Sequence, residues 1–434
     1  MKRSAVYLFV AVSLILASLF SAGYADSIPG QIKENSIAEE KSPQADIEEA
    51  PLAYGKSDLS KYLYLIEPAD DEMPSSDLQP LEDTGKVGYL IKEIQKSETI
   101  KQTFELFAYS VQVSSKPNKI LYLAMCEKDS PYMGVPFVQH YTGKYSFTLD
   151  GKKTQGSIFF LPLHQEYGDK ESIKTGAFQT GFIHEAAHII LANLVPEFPQ
   201  REVQSEGVSS VTDPNVAFDE GFAELFEIFF MLRMPQYKSG HFLENIPFWH
   251  QVEFGYFRSF GVMNNLFVWD EWGSKTLKKI ESQGIDILLN GKLLPMKKLR
   301  TQDDMLACEG VVVRVLLDII KSQIETDTGK TIDIQTYNQW DKISAAFQRL
   351  MKTIAKYKVT DLQALWTAIA KDPAFFGYRE AIWRAYLEDS YYAFGSADYA
   401  KMYQKYIGKK ITAKEYQKWK DEIFKQNMAN VKGK

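Results

Sequence analysis

The sequence predicts an α+β fold: a strand-rich N-terminal part, a helical middle part and an all-helical C-terminal part. Before about residue 165 the apolar residues come in short β-branched and aromatic runs. Asp150–Gly151 reads as a hairpin turn between two of those runs. From about Ala177 to the C-terminus the apolar residues recur in helix-compatible runs. The chain has 434 residues, 45% apolar and 24% charged, a balance that excludes a wholly disordered, collagen-like or polytopic membrane protein. A net charge of −6 carries no electrostatic pointer to nucleic acid.

Residues 1–25 read as a secretory signal peptide. Lys2 and Arg3 form a positive end, an apolar run spans Ala5–Phe20, and Ser21, Ala22, Gly23 and Ala25 supply small residues for cleavage near Ala25. The expected location is periplasmic or extracellular; the alternative is an uncleaved N-terminal membrane anchor. No later stretch is long and apolar enough to cross a bilayer. Export leaves two readings for Cys126 and Cys308, a disulfide or two inert buried thiols.

Residues 26–84 read as an acidic flexible tether with a short ordered segment. The acids are concentrated before residue 58, and a second soft stretch, rich in Asp, Glu, Pro and Ser, runs from Ala69 to Thr84. Residues 85–165 read as strand-rich, with strands over Thr103–Ser115, Lys119–Met125, Tyr145–Leu149 and Gly156–His164. Pro162, which has no N–H to donate, demotes the last of these to an edge strand or a strand end.

Residues 166–300 form the helical middle region, with helices over Phe178–Val195 and Phe218–Leu232. In residues 301–434, helices are expected over Glu309–Ile324, Gln339–Tyr357, Asp361–Ala370, Tyr378–Ala393 and Tyr399–Gln426. From Ser396 onward ten lysines face four acids, which reads as a solvated helix face.

His184-Glu185-Ala186-Ala187-His188 is an HExxH motif. Residues four apart share a helix face, so both imidazoles can reach one ion, and Glu185 sits about 100° round, within reach of water on that ion. Phe182, Ile183, Ile189, Ile190, Leu191 and Leu194 cover most other directions, so the helix is expected to be buried. Two histidines and a glutamate in a core need partners, and a metal ion supplies them.

The third ligand is expected from Asp219-Glu220-Gly221-Phe222-Ala223-Glu224. A hydrolytic zinc site takes three protein ligands and keeps one open position, and Glu220 is the expected third. Glu224, one turn on, is the candidate to accept the other ring N–H of a ligating histidine and fix its tautomer. Glu220, Glu224 and Glu227 share one face of this helix, opposite Phe222, Leu225, Phe226 and Phe229.

HEAAH followed by DEGFAE resembles the gluzincin clan of zinc metallopeptidases, in its aminopeptidase N-like or peptidase-MA-like branch. The resemblance covers about 50 residues, Phe182–Phe230. It implies a gluzincin-type helical domain with an edge strand at the cleft, one zinc ion per chain held by His184, His188 and Glu220, and Glu185 as the catalytic base. The helix separation departs from the aminopeptidase N pattern, so an extra loop is expected over Pro196–Pro214. That family's G-x-M-E-N exopeptidase motif is not found before the zinc site; Gly261-Val262-Met263-Asn264-Asn265 has similar letters but falls after it. The Cys308–Leu316 segment is similar to a helix that follows the family's catalytic tyrosine, and the tyrosine position falls on Ala307. Candidates to stabilise the transition state in its place are His241, His250 and Tyr256.

The expected function is an exported zinc metallopeptidase. Zinc lowers the pKa of its bound water to roughly 7 and polarises the scissile carbonyl. Glu185 then takes the water's proton and passes it to the leaving amine. The substrate is a peptide or protein, paired in extended form along Gly156–His164. The alternative is a catalytically silent gluzincin-like protein that binds peptides or a protein partner. No P-loop, dinucleotide-binding glycine pattern or G-x-S-x-G elbow is present.

Overall fold

Leu121–Cys126 (LYLAMC) and Gly156–Pro162 (GSIFFLP) are apolar almost throughout and buried along their whole length, the signature of strands inside a sheet covered on both faces. In the computed structural model they are β3 and β7 of a seven-stranded mixed sheet. The structure describes residues 61–69, 74–82, 85–127, 136–141, 146–163, 167–199, 212–234, 269–270, 298–299, 301–334, 336–390 and 392–432. All of these belong to one unit, Lys56–Lys434. The fold is mixed α+β, as expected.

The other strands are β1 (Leu63–Pro68), β2 (Asp77–Pro80), β4 (Phe137–Tyr141), β5 (Phe147–Leu149) and β6 (Lys152–Thr154). The sheet order is β4-β7-β3-β1-β2-β5-β6. β1, β3 and β7 run parallel, and β4 closes one edge antiparallel to β7. Asp150 and Gly151 both have positive φ (49° and 72°), which is the turn that a tight β5–β6 hairpin requires.

Alternation sorts the sheet's side chains onto two faces. Leu121, Leu123, Met125, Phe159 and Leu161 join the larger core, which the helices cover. Tyr122, Ala124, Cys126, Ile158 and Phe160 join a smaller core with Ile66, Tyr141 and Phe147. Cys126 faces the smaller core and Cys308 the larger, so they are two separate buried thiols rather than a disulfide. Burial pushes the Cys126 thiol up to about 12.

Three expectations are corrected. Residues 85–165 hold β3 to β7 but also two helices, α1 (Gly88–Lys96) and α2 (Glu98–Val113). The β-rich composition of Thr103–Ser115 is overridden by a period of 3.6, with Ile100, Thr103, Phe104 and Phe107 buried on one face. Ser97 caps α2 by accepting from the Ile100 N–H. Within 26–84, β1 is the short ordered segment expected there, but Asp77–Pro80, in the stretch read as soft, also lies in the sheet, held there by pairing with β1 and β5 that local composition does not reveal. Gly156–Pro162 is not the edge strand. Pro162 sits at its last position, and the edge is β4.

The helices continue as α3 (Lys170–Thr175), α4 (Ala177–Leu194) and α5 (Pro214–Met231). After the short β8–β9 ladder (Trp269–Asp270, Lys298–Leu299) come α6 (Gln302–Leu306), α7 (Glu309–Thr328), α8 (Trp340–Tyr357), α9 (Leu362–Lys371), α10 (Arg379–Asp389), α11 (Tyr399–Ile407) and α12 (Ala413–Lys432). The helical stretch expected over Tyr399–Gln426 is made of two helices, with Gly408 following the first. No helix among the described residues is long and apolar enough to cross a membrane.

α4 lies in the middle of this arrangement, between the sheet, α2 and α5. Phe182 packs against Phe104 of α2 and Phe159 of β7. Phe178, Ile183, Ile189, Ile190 and Leu191 are also buried, each worth roughly 1.5–3 kcal/mol. That packing holds the helix, and with it the HExxH segment, in the interior.

Candidate metal centre

α4 presents His184 and His188 on one face, one turn apart. α5 crosses them antiparallel. Glu227 in its last turns meets His184, while Asp219 in its second turn meets His188. The start of α5 is well specified. Asp213 accepts from the Asn215 N–H at 2.8 Å, and Pro214 occupies the first turn, where its missing N–H costs nothing. α7 then packs against α5 at Gly221. A Cβ there would lie 2.5 Å from Val312 Cγ1, so only glycine admits this approach beside Glu220.

Each ring's Nδ1–H donates to a carboxylate: His184 to Glu227 Oε2 at 2.9 Å and His188 to Asp219 Oδ1 at 2.8 Å. The two Nε2 atoms are thereby turned toward each other, 3.2 Å apart. Glu220 Oε2 lies 3.5 Å from both of them. A tetrahedral zinc ion with bonds of about 2.0–2.1 Å spaces its ligand atoms about 3.3–3.4 Å apart. The three separations therefore suit one small ion. Two neutral imidazoles placed this way would face each other lone pair to lone pair, so the site calls for a proton or a metal ion between them, and the N/O donor set is one that zinc favours. Of the three groups Glu220 is the most open, with its side chain 23% exposed.

The electrostatics point the same way. Burial pushes the His184 ring down, but hydrogen bonds to Glu220 and Glu227 and the charges of Glu227 and Glu185 outweigh it, and its pKa ends well above the ordinary value. Burial also opposes the charged form of His188, and the charges of Glu220 and Asp219 overcome it. Burial raises Glu220, yet the two histidines hold it below the carboxylate range. The carboxylates thus create a field that favours positive charge at the Nε2 pair. Glu185 is pushed up by burial to about 7, with the histidines pulling against that rise.

The expected site residues fall as follows. His184, Glu185, His188 and Glu220 come together in this interior site. Glu224 does not take the expected role. Its Oε2 is buried with no hydrogen-bond partner, and burial together with the charge of Glu227 pushes it up to about 8. Asp219 and Glu227 orient the rings instead, because the antiparallel crossing sets them beside the outer nitrogens at either end of the histidine pair. The acidic face of α5 is interior, since Glu224, Glu227 and the opposite phenylalanines are all buried. His241, His250, Tyr256 and most of the expected loop, 200–211, lie outside the described residues. Ala307 is buried, and its carbonyl accepts from the Thr212 N–H at 2.9 Å.

One residue near the site carries no local sequence signal. His140 is on the edge strand β4, opposite Ser157 of β7 on the helix-bearing face. Its ring is near enough to Asp219 and His188 to feel their charges. Only the non-local pairing of β4 with β7 brings it there. No protein-family model, no curated protein and no solved structure matches the chain.

Proposed function

We propose that this protein is a zinc-dependent metallopeptidase of gluzincin type that is exported and cleaves peptide bonds. The observation that carries the reading is the facing trio of His184 Nε2, His188 Nε2 and Glu220 Oε2, at separations of 3.2, 3.5 and 3.5 Å, with the carboxyl of Glu185 buried beside it. A purely structural site has no use for that buried carboxyl.

His184, His188 and Glu220 would hold one zinc ion. When bound, zinc polarises a carbonyl oxygen and makes water nucleophilic near neutral pH. Glu227 and Asp219 hold the imidazoles in the tautomer whose Nε2 lone pairs point inward. The Glu185 carboxylate accepts the proton of the attacking water and returns it to the leaving amine, a task suited to a group raised toward neutrality. The edge strand β4 has no neighbour on its outer side among the described residues, so an extended peptide backbone can pair with it beside the site.

The test is metal content and hydrolysis together, on purified residues 26–434 and on the Glu185→Gln variant. The expected result is one equivalent of zinc in both proteins and cleavage of a peptide library by the parent alone. Zinc in both with cleavage by neither points to a peptide-binding protein instead. No metal in either after zinc is supplied ends the metal-centre reading. Export rests on residues 1–25, which lie outside the described residues; the secreted protein should begin at Asp26 by N-terminal mass analysis.

A further inference from the structure

The metal ligands and Glu185 include no hydrogen-bond donor that could share, with the metal, the charge that develops on the carbonyl oxygen. As water oxygen bonds to the carbonyl carbon, the C=O π pair moves onto oxygen, and that charge needs a donor aimed at it. The position similar to a catalytic tyrosine is Ala307, which has no donor side chain.

His140 has the chemistry and the position to serve. Its Nδ1 lies 2.8 Å from Ser157 Oγ. Ser157 is fully buried, and its oxygen accepts from Asn118 Nδ2. The remaining hydroxyl hydrogen must go to an acceptor, and among the described residues the one within reach is His140 Nδ1. His140 is therefore neutral and carries its proton on Nε2. Burial agrees with this, pushing the ring down to about 4 against the charge of Asp219. The ring's other nitrogen, Nε2, then carries the N–H and is free of the bond to Ser157.

A buried polar chain holds the ring in place. Asn193, on the HExxH helix, accepts from the Asn118 N–H at 2.7 Å and donates to the Asn118 carbonyl at 3.2 Å and to Ser110 Oγ at 3.0 Å. Asn118 then donates to Ser157, and Ser157 to His140. The helix that carries the two ligand histidines and the strand that would pair with the substrate are thus joined by one set of hydrogen bonds, which ends on the imidazole.

We propose that His140 is a catalytic residue of the peptidase, donating its Nε2–H to the carbonyl oxygen as negative charge develops there. The assignment rests on the metallopeptidase reading. The donated proton stays on His140. The proton taken by Glu185 goes to the leaving nitrogen as the C–N bond breaks, so the products are a carboxylic acid and an amine.

The test uses zinc-loaded protein with a cleaved peptide and two variants. His140→Leu should lower kcat about 10²–10³-fold with KM and zinc stoichiometry unchanged, and His140→Gln, which keeps an N–H donor, should retain at least a tenfold advantage over it. A fall of less than threefold in zinc-loaded His140→Leu overturns the assignment while leaving the peptidase reading intact. Zinc-loaded parent that cleaves nothing overturns both. A second measurement is independent of activity and of any variant's folding: ¹⁵N spectra of histidine-labelled, metal-free parent protein. These should show His140 neutral at pH 7 with the proton on Nε2, and an imidazolium or an Nδ1–H tautomer would overturn the assignment.

Discussion

Asp219 holds the His188 ring from the position immediately before Glu220, the candidate ligand, accepting Nδ1–H at 2.8 Å. Adjacent residues thus act on opposite nitrogens of one imidazole, Asp219 on Nδ1 and Glu220 toward Nε2. A carboxylate behind a ligating histidine fixes its tautomer and raises its basicity. Asp219→Ala should therefore weaken zinc binding about 10–100-fold. Asp219→Asn, which can still accept from Nδ1–H, should lose less. Competition with a chelating dye measures both, and an unchanged affinity in Asp219→Ala would remove Asp219 from the centre.

The pH dependence follows from the shifts in the metal-free protein. His184 and His188 lie well above the ordinary 6.5, and Glu185 and Glu224 are raised to about 7 and about 8. Each of these groups binds protons more tightly folded than unfolded. Their contribution to stability is complete below the unfolded values and is lost as pH rises through the folded ones. A zinc ion held there would replace protons at His184 and His188, so its stabilising effect should grow with pH. The rise in Tm on adding one equivalent of zinc should accordingly be larger at pH 8 than at pH 6. Equal shifts at both values, measured by scanning calorimetry, would mean that protons and metal do not compete.

Much of this site was legible in the sequence because its information is local. Four-residue spacing sets His184 and His188 on one face whatever surrounds them, and apolar neighbours on all sides announce a buried helix. Glu220 could be read from its motif. Glu227, on the same face of α5 as Glu224, and Asp219 hold the rings instead of Glu224, because the direction in which α5 crosses α4, a tertiary property, decides which carboxylates reach the outer nitrogens. His140 was invisible for the same reason, since only strand pairing sets it opposite Ser157. In the fold, Thr103–Ser115 failed on propensity, as tertiary packing of a 3.6-residue pattern outranks β-rich composition.

Glu224 supplies a prediction that separates its expected role from its observed one. Its Oε2 is buried without a partner, and burial and the charge of Glu227 raise its carboxyl to about 8, which favours the neutral form. Glu224→Gln, isosteric with the protonated acid, should keep zinc affinity within about threefold, far from the 10–100-fold loss expected for a residue that orients a ligand. A loss of that larger size in the dye competition would restore Glu224 as an orienting group.

Gly221 makes a steric prediction about how the centre is held. The Cβ of an alanine would lie 2.5 Å from Val312 Cγ1 and 2.7 Å from Val312 Cβ, closer than packed carbons tolerate. Gly221→Ala should cost about 1–3 kcal/mol in urea unfolding. Adding Val312→Ala removes the nearer clashing atom and leaves only the Cβ contact, so the double variant should be more stable than the two single losses sum to. Additive losses would mean that α5 and α7 do not press together at this point.

Arg314 and Asp389 lock α7 to α10 through a buried ion pair at 2.9 Å, with both side chains almost wholly hidden from solvent. Burial and the nearby charge of Asp318 push Asp389 well above the ordinary carboxylate value, and Arg314 opposes that shift. Removing one partner of a buried pair strands the other, so Arg314→Met should destabilise the fold by about 3–5 kcal/mol at a pH where the Asp389 carboxyl is ionised. Replacing both, as Arg314→Met with Asp389→Leu, removes the pair but leaves Asp318, which interacts with both, so it should recover part of that loss. The single variant's penalty should also shrink as pH falls through the raised value of the stranded carboxyl, which is neutral once it holds a proton. Denaturant unfolding of the three proteins at high and low pH decides the matter: a single variant whose loss is small at both, or equally large at both, would show that the pair is not what joins these helices.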